Sequence, residues 1–231
     1  RFVRKWWEVP KGNDEDWYAY MMSGSDNKYY EPLKNRVLWR GNGTEIKQHD
    51  GSIVPNEERY LDSGLSYRSF GKRFTVRHLP QNCIPSDTSP AIYPGELGEE
   101  VLLGYMNSSL VDFLLQGINP SMRYQVGDIE EVVVDPELSN NRLEQLTRIG
   151  RERQMKKQSY IESNPEFDEN HLLDNWSDFI YETELLSSDI AVVQGLNDNI
   201  IFDYYELSSE TQQRIYDDLP ANLANYHHII N

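Results

Sequence analysis

Short runs in which apolar and polar residues alternate dominate the first 135 residues, and they predict β-strands separated by turns. Residues 35–40 form one such run, which ends at the turn sequence Gly41-Asn42-Gly43. Residues 66–69 and 73–79 form a second pair of strands, joined around Gly71. The pattern therefore predicts a β-hairpin in this part of the chain.

The second strand of this predicted hairpin shows the alternation most clearly. Phe74 and Val76 point to one face, because successive side chains of a strand leave on opposite sides. Arg73 and Arg77 then share the other face with Thr75. We expect this second face to be exposed, with the two arginines lying together on it.

Helical periodicity begins after residue 98. The apolar positions of residues 99–118 recur at helical spacing and predict one long helix, at about residues 99–117: Leu102, Leu103, Met106, Leu110, Phe113 and Leu114. Residues 123–126 and 129–134 are predicted to be strands, the second a mostly apolar run.

From residue 140 onward the pattern is helical. Asn140 or Asn141 is predicted to cap a helix, and acidic helices are predicted through Ile201 and from Ser208 or Ser209. The predicted fold class is α+β, in which a mixed β-rich domain with a packed helix is followed by a small helical region. We place the first domain at residues 1–138 and the acidic helical region at 139–231.

Composition supports a folded protein: 38% of the 231 residues are hydrophobic and 12% are aromatic. A single cysteine, Cys83, excludes an internal disulfide and fits a reducing compartment. No apolar run approaches the ~20 residues of a membrane span, and no signal peptide is visible. We therefore expect a cytoplasmic protein with no membrane partner.

The chain starts at Arg1 in Trp-rich sequence, which favours a fragment or excised domain of a longer polypeptide.

Charge is distributed unevenly along the chain, whose formal net charge is −16. Residues 158–231 contain fifteen acidic residues and one basic residue, Arg214, whereas residues 1–157 carry a net charge of only −2. An acidic tail repels nucleic acid, so the C-terminal third is not expected to follow a phosphate backbone. A saline habitat would also explain the acidity, and the sequence alone does not separate these explanations.

One basic segment interrupts this acidity. Residues 63–86, here called the basic window, contain no Asp or Glu but carry Arg68, Lys72, Arg73 and Arg77. A local cluster of cations and aromatic residues on an acidic protein favours a confined anion-binding face, and duplex DNA is the obvious large anion. An ordinary solvated hairpin with surface Arg and Lys is the alternative interpretation.

Common catalytic motifs are absent from the sequence. It contains no G-x-G-x-x-G, no Walker loop and no pair of cysteines at zinc spacing, and a metal role for His227-His228 is disfavoured because adjacent residues do not share a helical face. Two Asn-Pro segments, at residues 119–122 and 164–167, lack the second proline of the Asn-Pro-Pro-Tyr loop of amino-methyltransferases. We interpret both as turns.

Several short motifs occur in an order that is similar to one protein family. They are Arg1-Phe2-x-Arg4-x-Trp6-Trp7-Glu8, Gly64-Leu65-Ser66-Tyr67-Arg68, Leu103-Gly104-Tyr105-Met106-Asn107-Ser108, Tyr124-Gln125-Val126-Gly127-Asp128-Ile129 and Tyr204-Tyr205-Glu206-Leu207-Ser208. Together they resemble the C-terminal target-recognition region of large adenine-specific DNA methyltransferases, particularly the PglX-type enzymes of BREX phage-defence systems and the related type IIG restriction-modification enzymes. The similarity covers most of residues 1–215.

The resemblance implies a non-catalytic role for this chain in sequence-specific recognition of double-stranded DNA. An N-terminal methyltransferase domain of the parent chain would bind S-adenosylmethionine and flip the adenine for N6 methylation. The chain itself would need no cofactor. Arg suits base reading and Lys suits phosphate contacts. The candidate DNA-binding residues are Tyr67, Arg68, Ser69, Lys72, Arg73, Arg77, Arg40 and Arg123.

Two other functions are compatible with the sequence. The acidic helical tail could dock a protein partner, such as another subunit of a defence complex. A DNA mimic is the third hypothesis, which the clustered arginines of the basic window disfavour.

Overall fold

The computed structural model describes residues 1–10, 15–169 and 176–219. It confirms the α+β class. Two small sheets hold the strands β1 to β7 in chain order: Val3–Lys5, Trp17–Met21, Asn35–Leu38, Gly64–Tyr67, Val76–Leu79, Cys83–Pro85 and Ala91–Ile92. The helices α1 to α7 are Arg40–Lys47, Glu99–Met106, Ser109–Ile118, Val126–Glu130, Asn141–Ser159, Trp176–Tyr204 and Ser209–Asp218.

The two sheets differ in strand order and in strand direction. The first has the strand order β1-β3-β2-β6, with β2 and β6 parallel and the other pairs antiparallel. The second has the order β5-β4-β7 and is antiparallel throughout. Its β4–β5 pair confirms the predicted hairpin, in the register that places Ser66 opposite Arg77.

The helix predicted over residues 99–118 is interrupted. Helices α2 and α3 meet at a bend of 61°, with Asn107 and Ser108 between them. The Ser108 side chain accepts a hydrogen bond from the backbone N–H of Val111, at 3.3 Å, and so begins a new helix where one continuous helix was expected. No single helix in the described ranges is long and apolar enough to cross a bilayer, and this bent pair passes such a test only when both helices are combined.

The two strands predicted after residue 122 are wrong. Residues 126–130 form the helix α4, and no strand is assigned between 123 and 134. The cause is local, because an Asp128 carboxylate oxygen accepts a hydrogen bond from the backbone N–H of Gln125, at 2.7 Å. This contact is half of a capping box, which begins a helix instead of a strand.

The predicted C-terminal helices are confirmed within the described residues. The Asn140 side chain accepts hydrogen bonds from the backbone of Arg142 and Leu143 and so caps α5. Ser208 caps α7 in the same way. His227 and His228, for which the sequence disfavours a metal role, lie outside the described residues.

The main hydrophobic core lies between the hairpin sheet and the helices. It draws buried side chains from β4, β5, α2 and α3, and also from α5, α6 and α7 beyond residue 138. Gly104 of α2 allows α5 to approach closely, since a Cβ atom there would lie 2.4 Å from the Thr147 hydroxyl oxygen. The core therefore anchors the basic hairpin directly on the helical region.

Candidate nucleic-acid interface

The connection between β4 and β5 extends the hairpin beyond the sheet. Residues 68–75 form this connection, and the backbone of residues 69–71 pairs with residues 122–124. The Gly71 N–H donates to the Met122 carbonyl and the Tyr124 N–H donates to the Ser69 carbonyl, both at 2.9 Å. We call residues 69–72 and 121–123 together the hairpin tip. Two chain segments thus hold each other in place there.

An aromatic stack supports the tip from below. The ring centroids of Tyr67 and Phe74 are 5.6 Å apart, and those of Phe74 and Tyr124 are 5.2 Å apart in an edge-to-face arrangement. All three side chains are buried. Tyr67 is therefore a core residue, and burial raises the pKa of its hydroxyl to about 12. As placed, Tyr67 offers no exposed surface to DNA.

The outer edge of β5 is covered by two elements distant in sequence. Tyr29 pairs with this edge in parallel, and its backbone N–H donates to the Val76 carbonyl at 2.9 Å. The Asn107 amide completes the edge, since its oxygen accepts from the Val76 N–H at 3.0 Å and its nitrogen donates to the Val76 carbonyl at 2.8 Å. Asn107 belongs to the Leu-Gly-x-x-Asn-Ser motif, so this motif has a structural role in holding the hairpin.

Arg77 is buried, which corrects the expectation that it shares an exposed face with Arg73. Its side chain is 0% exposed, and Thr75 on the same face is also buried. A guanidinium nitrogen of Arg77 donates to the Ser25 carbonyl at 2.8 Å, and Glu31 is the acidic residue that most stabilises its charge. The predicted alternation of side chains along β5 is correct, but both faces of the strand are covered. The segment around Ser25 lies over the face that was predicted to be exposed.

Arg73 is mostly buried as well. Its guanidinium contacts the Asp112 carboxylate of α3 at 3.2 Å and 3.3 Å. The second oxygen of Asp112 accepts from the backbone N–H of Phe74 at 3.3 Å. Arg73 therefore ties the hairpin to α3, and the expectation that it lies exposed beside Arg77 is wrong.

Arg68 and Ser69 lie where the hairpin leaves the sheet. Arg68 forms an ion pair with Asp26, whose side chain is 72% exposed. The Ser69 hydroxyl donates to the Thr88 carbonyl at 3.1 Å. Both side chains are half-buried, so they border the tip and are already engaged with other parts of the chain.

Lys72 and Arg123 differ from these arginines. Both are exposed at the tip, and within the described ranges neither side chain forms an ion pair or hydrogen bond. Phe70 and Met122 lie at the same tip and are exposed to 55% and 45%. Neither residue is among the candidates predicted from the sequence, although Phe70 lies within the basic window beside the predicted turn.

Arg40 begins α1, close to the end of β3 in the other sheet. It follows β3, and its exposed guanidinium donates to the Glu45 carboxylate at 2.7 Å, with Asp16 at 3.9 Å. Positive φ angles at residues 41–43 turn the chain sharply after it. The structure thus places Arg40 apart from the hairpin elements, in its own ion-pair cluster.

A polar network is buried behind the hairpin. The Lys28 ammonium donates to the Asn107 carbonyl at 2.6 Å and to the Gln194 side chain of α6 at 3.2 Å. Burial lowers the pKa of Lys28 from 10.5 to about 8, although Asp112 and Asp198 act in the opposite direction. Burial also raises the pKa of Asp198, whose carboxylate accepts two hydrogen bonds from Ser109. The network joins β5, α3 and α6.

Among the described residues, no group of three or more His, Cys, Asp or Glu side chains is placed to hold a metal ion. The geometry defines an α+β protein with a hairpin whose tip carries two cations that have no partner among the described residues.

Comparison with known proteins relates the sequence to an adenine-specific methyltransferase. No model of a known protein family matches the chain. Over 192 residues, or 78% of the chain, the sequence is 22% identical to the adenine-specific methyltransferase BrxX of Escherichia coli O9:H4 (strain HS). The match covers 16% of that protein, so the chain spans about a sixth of its length. The similarity supports a relationship to this class of methyltransferase.

Proposed function

We propose that the chain is the DNA target-recognition region of an S-adenosylmethionine-dependent adenine-N6 DNA methyltransferase of a phage-defence system. The observation that supports this most directly is the hairpin tip, where Lys72 and Arg123 are exposed and free of acidic partners among the described residues. The chain as a whole carries a net charge of −16, so a cationic projection is a local feature that suits a polyanion.

The roles of the candidate residues follow from their contacts. Lys72 and Arg123 would contact DNA directly, Arg for base edges or phosphates and Lys for phosphates. Arg73, Arg77 and Tyr67 would act indirectly, by holding the hairpin in place. Arg68 and Ser69 would lie at the border of the contact.

Cofactor binding and base flipping are assigned to another part of the parent enzyme. The sequence lacks both a glycine-rich cofactor loop and Asn-Pro-Pro-Tyr, so its residues do not fit S-adenosylmethionine. The proposal therefore derives no catalytic step from this chain. An open reading frame that continues upstream of Arg1 and encodes Asn-Pro-Pro-Tyr would support this division, and a stop codon directly upstream would contradict it.

Charge reversal at the tip tests the DNA-binding role. The double variant Lys72→Glu/Arg123→Glu should weaken binding to a short mixed-sequence duplex about tenfold or more at about 50 mM salt, and should reduce the salt slope by about two. The control is Arg142→Glu/Arg148→Glu on α5, which makes the same change in net charge at exposed positions. Fluorescence anisotropy measures both. Equal losses in the two double variants would contradict a specific role for the tip.

Protein docking is a second candidate, favoured by one feature of α6. Its first half exposes four large side chains at helical spacing, which are Trp176, Ile180, Tyr181 and Leu185. Acidic residues flank them, so a basic subunit of the same defence complex would be the partner. The variant Tyr181→Ser should then lose that subunit in co-purification and keep DNA binding, whereas retention of the subunit would exclude this surface.

A further inference from the structure

The hairpin tip carries apolar surface as well as charge. Phe70 and Met122 are exposed there to 55% and 45%. Phe70 and Arg123 are partners in an antiparallel bridge, so their side chains leave the same side of the two-stranded tip. An aromatic ring and a guanidinium thus project together from one position.

The tip is rigid enough to present this ring in a fixed orientation. Hydrogen bonds from Gly71 and Tyr124 lock the backbone on both sides of Phe70, and the buried rings of Phe74 and Tyr124 support it from below. The core beneath is already filled by those rings. Phe70 is therefore held outward, available to a partner.

The charges around Phe70 favour a polyanionic partner. Lys72 and Arg123 are exposed, and one acidic side chain of α4, the helix that follows the tip in the sequence, is half-buried. The carboxylate of that residue, Asp128, accepts hydrogen bonds from the Asn119 amide and the Gln125 backbone N–H, both at 2.7 Å. An apolar ring flanked by two cations matches a stacked base pair flanked by two phosphates.

We propose that Phe70 enters the base stack of duplex DNA bound at the tip, while Arg123 and Lys72 hold the flanking phosphates. This inference rests on the proposed DNA-binding function and assigns the apolar contact within it. Apolar side chains that wedge between base steps unstack them, and insertion is easiest where stacking is already broken. Through Phe70, the affinity of the chain for DNA depends on the deformability of the duplex as well as on the charge of the duplex.

Two duplexes that differ only in stacking isolate this contact from electrostatics. One is a short mixed-sequence duplex, and the other has the same sequence with one central abasic site, so that the phosphate charge is unchanged. The 231-residue chain should bind the abasic duplex about tenfold more tightly at about 50 mM salt. Phe70→Ala should abolish this preference, whereas Phe70→Trp should preserve it. Ile53→Ala, which removes an exposed apolar side chain elsewhere, is the matched control.

The outcomes separate this inference from the proposed function. If wild type binds both duplexes equally, or if Phe70→Ala keeps the preference, the insertion of Phe70 is excluded. Loss of binding in the Lys72→Glu/Arg123→Glu variant would in that case still support DNA recognition by the tip. A chain that binds neither duplex at low salt would overturn both proposals.

Discussion

Arginines have opposite environments in two parts of the β4–β5 hairpin. We call the part that contains Arg73 and Arg77 the base, to distinguish it from the tip. At the base, Arg73 and Arg77 are turned into the protein and engage Asp112 and the Ser25 carbonyl. At the tip, Arg123 extends into solvent without a partner among the described residues. Buried guanidinium groups stabilise a particular packing, whereas exposed ones remain available to an external anion. The number of arginines in a segment therefore does not measure its capacity to bind DNA.

Removing a buried arginine gives the largest expected effect of this comparison. Arg77→Ala leaves a cavity and an unpaired Ser25 carbonyl, and it removes a positive charge that interacts with the buried Glu31. We expect the free energy of unfolding to fall by about 3–5 kcal/mol. Urea denaturation followed by tryptophan fluorescence measures this loss.

Lys72 supplies the control at the tip. Lys72→Ala should change the free energy of unfolding by less than about 0.5 kcal/mol, because its side chain is exposed and unpaired among the described residues. A variant Arg77→Ala that folds with normal stability but loses DNA binding would contradict the distinction between base and tip. In that case Arg77 would act at the interface, as the sequence analysis expected.

This contrast also explains how far the sequence could predict the fold. The hairpin and the helices α5 and α7 follow from local signals, namely the alternation of residues 73–79 and the caps Asn140 and Ser208. The burial of Arg77 does not follow from local signals, because the residues that cover it lie near residues 25 and 29, about fifty positions earlier in the chain. Tertiary contacts of this kind leave no periodic signal in the strand itself.

The candidate site was predictable to a similar degree. Composition alone selected the basic window, and the type of residue was enough to propose Lys72 and Arg123 as candidates. The pairing of residues 70 and 123 is what brings an exposed aromatic ring beside a cation, and it joins segments about fifty residues apart. Their roles in DNA binding stay predictions that the charge-reversal and abasic-site experiments test.

The base of the hairpin should also respond to pH in a way that the tip does not. Lys28 is half-buried and interacts electrostatically with Arg73, Asp112 and Asp198, and burial of its ammonium group lowers its pKa from 10.5 to about 8. Between these values the unfolded state binds more protons than the folded state, so raising the pH favours folding. Relative to Lys28→Met, wild type should therefore gain stability from pH 8 to 10.5, on the order of 1 kcal/mol per pH unit.

Denaturation curves at several pH values measure this difference. The raised pKa values of Cys83 and the buried tyrosines affect both proteins alike and cancel in the comparison. Lys156→Met, at an exposed ion pair with Glu182, should give a curve parallel to that of wild type. A parallel curve for Lys28→Met as well would show that Lys28 titrates normally and that the base is not sealed from water.

The smallest effect is expected at the border between base and tip, where Asp26 pairs with Arg68. Asp26→Asn removes a negative charge beside the proposed DNA contact and releases a guanidinium that phosphate can then bind. Exposed ion pairs contribute only about 0–1 kcal/mol, so the stability of the fold should hardly change. DNA affinity at low salt should instead rise by about two- to fivefold, with a salt slope steeper by up to about one.

Asp50→Asn, an equal change of charge at an exposed turn, should raise affinity less. Adding Arg68→Ala to Asp26→Asn should cancel the gain, because Arg68 is the group that the substitution releases. A decrease in affinity for Asp26→Asn would instead mean that the ion pair positions the hairpin for DNA, and Arg68 would then belong with the buried arginines of the base.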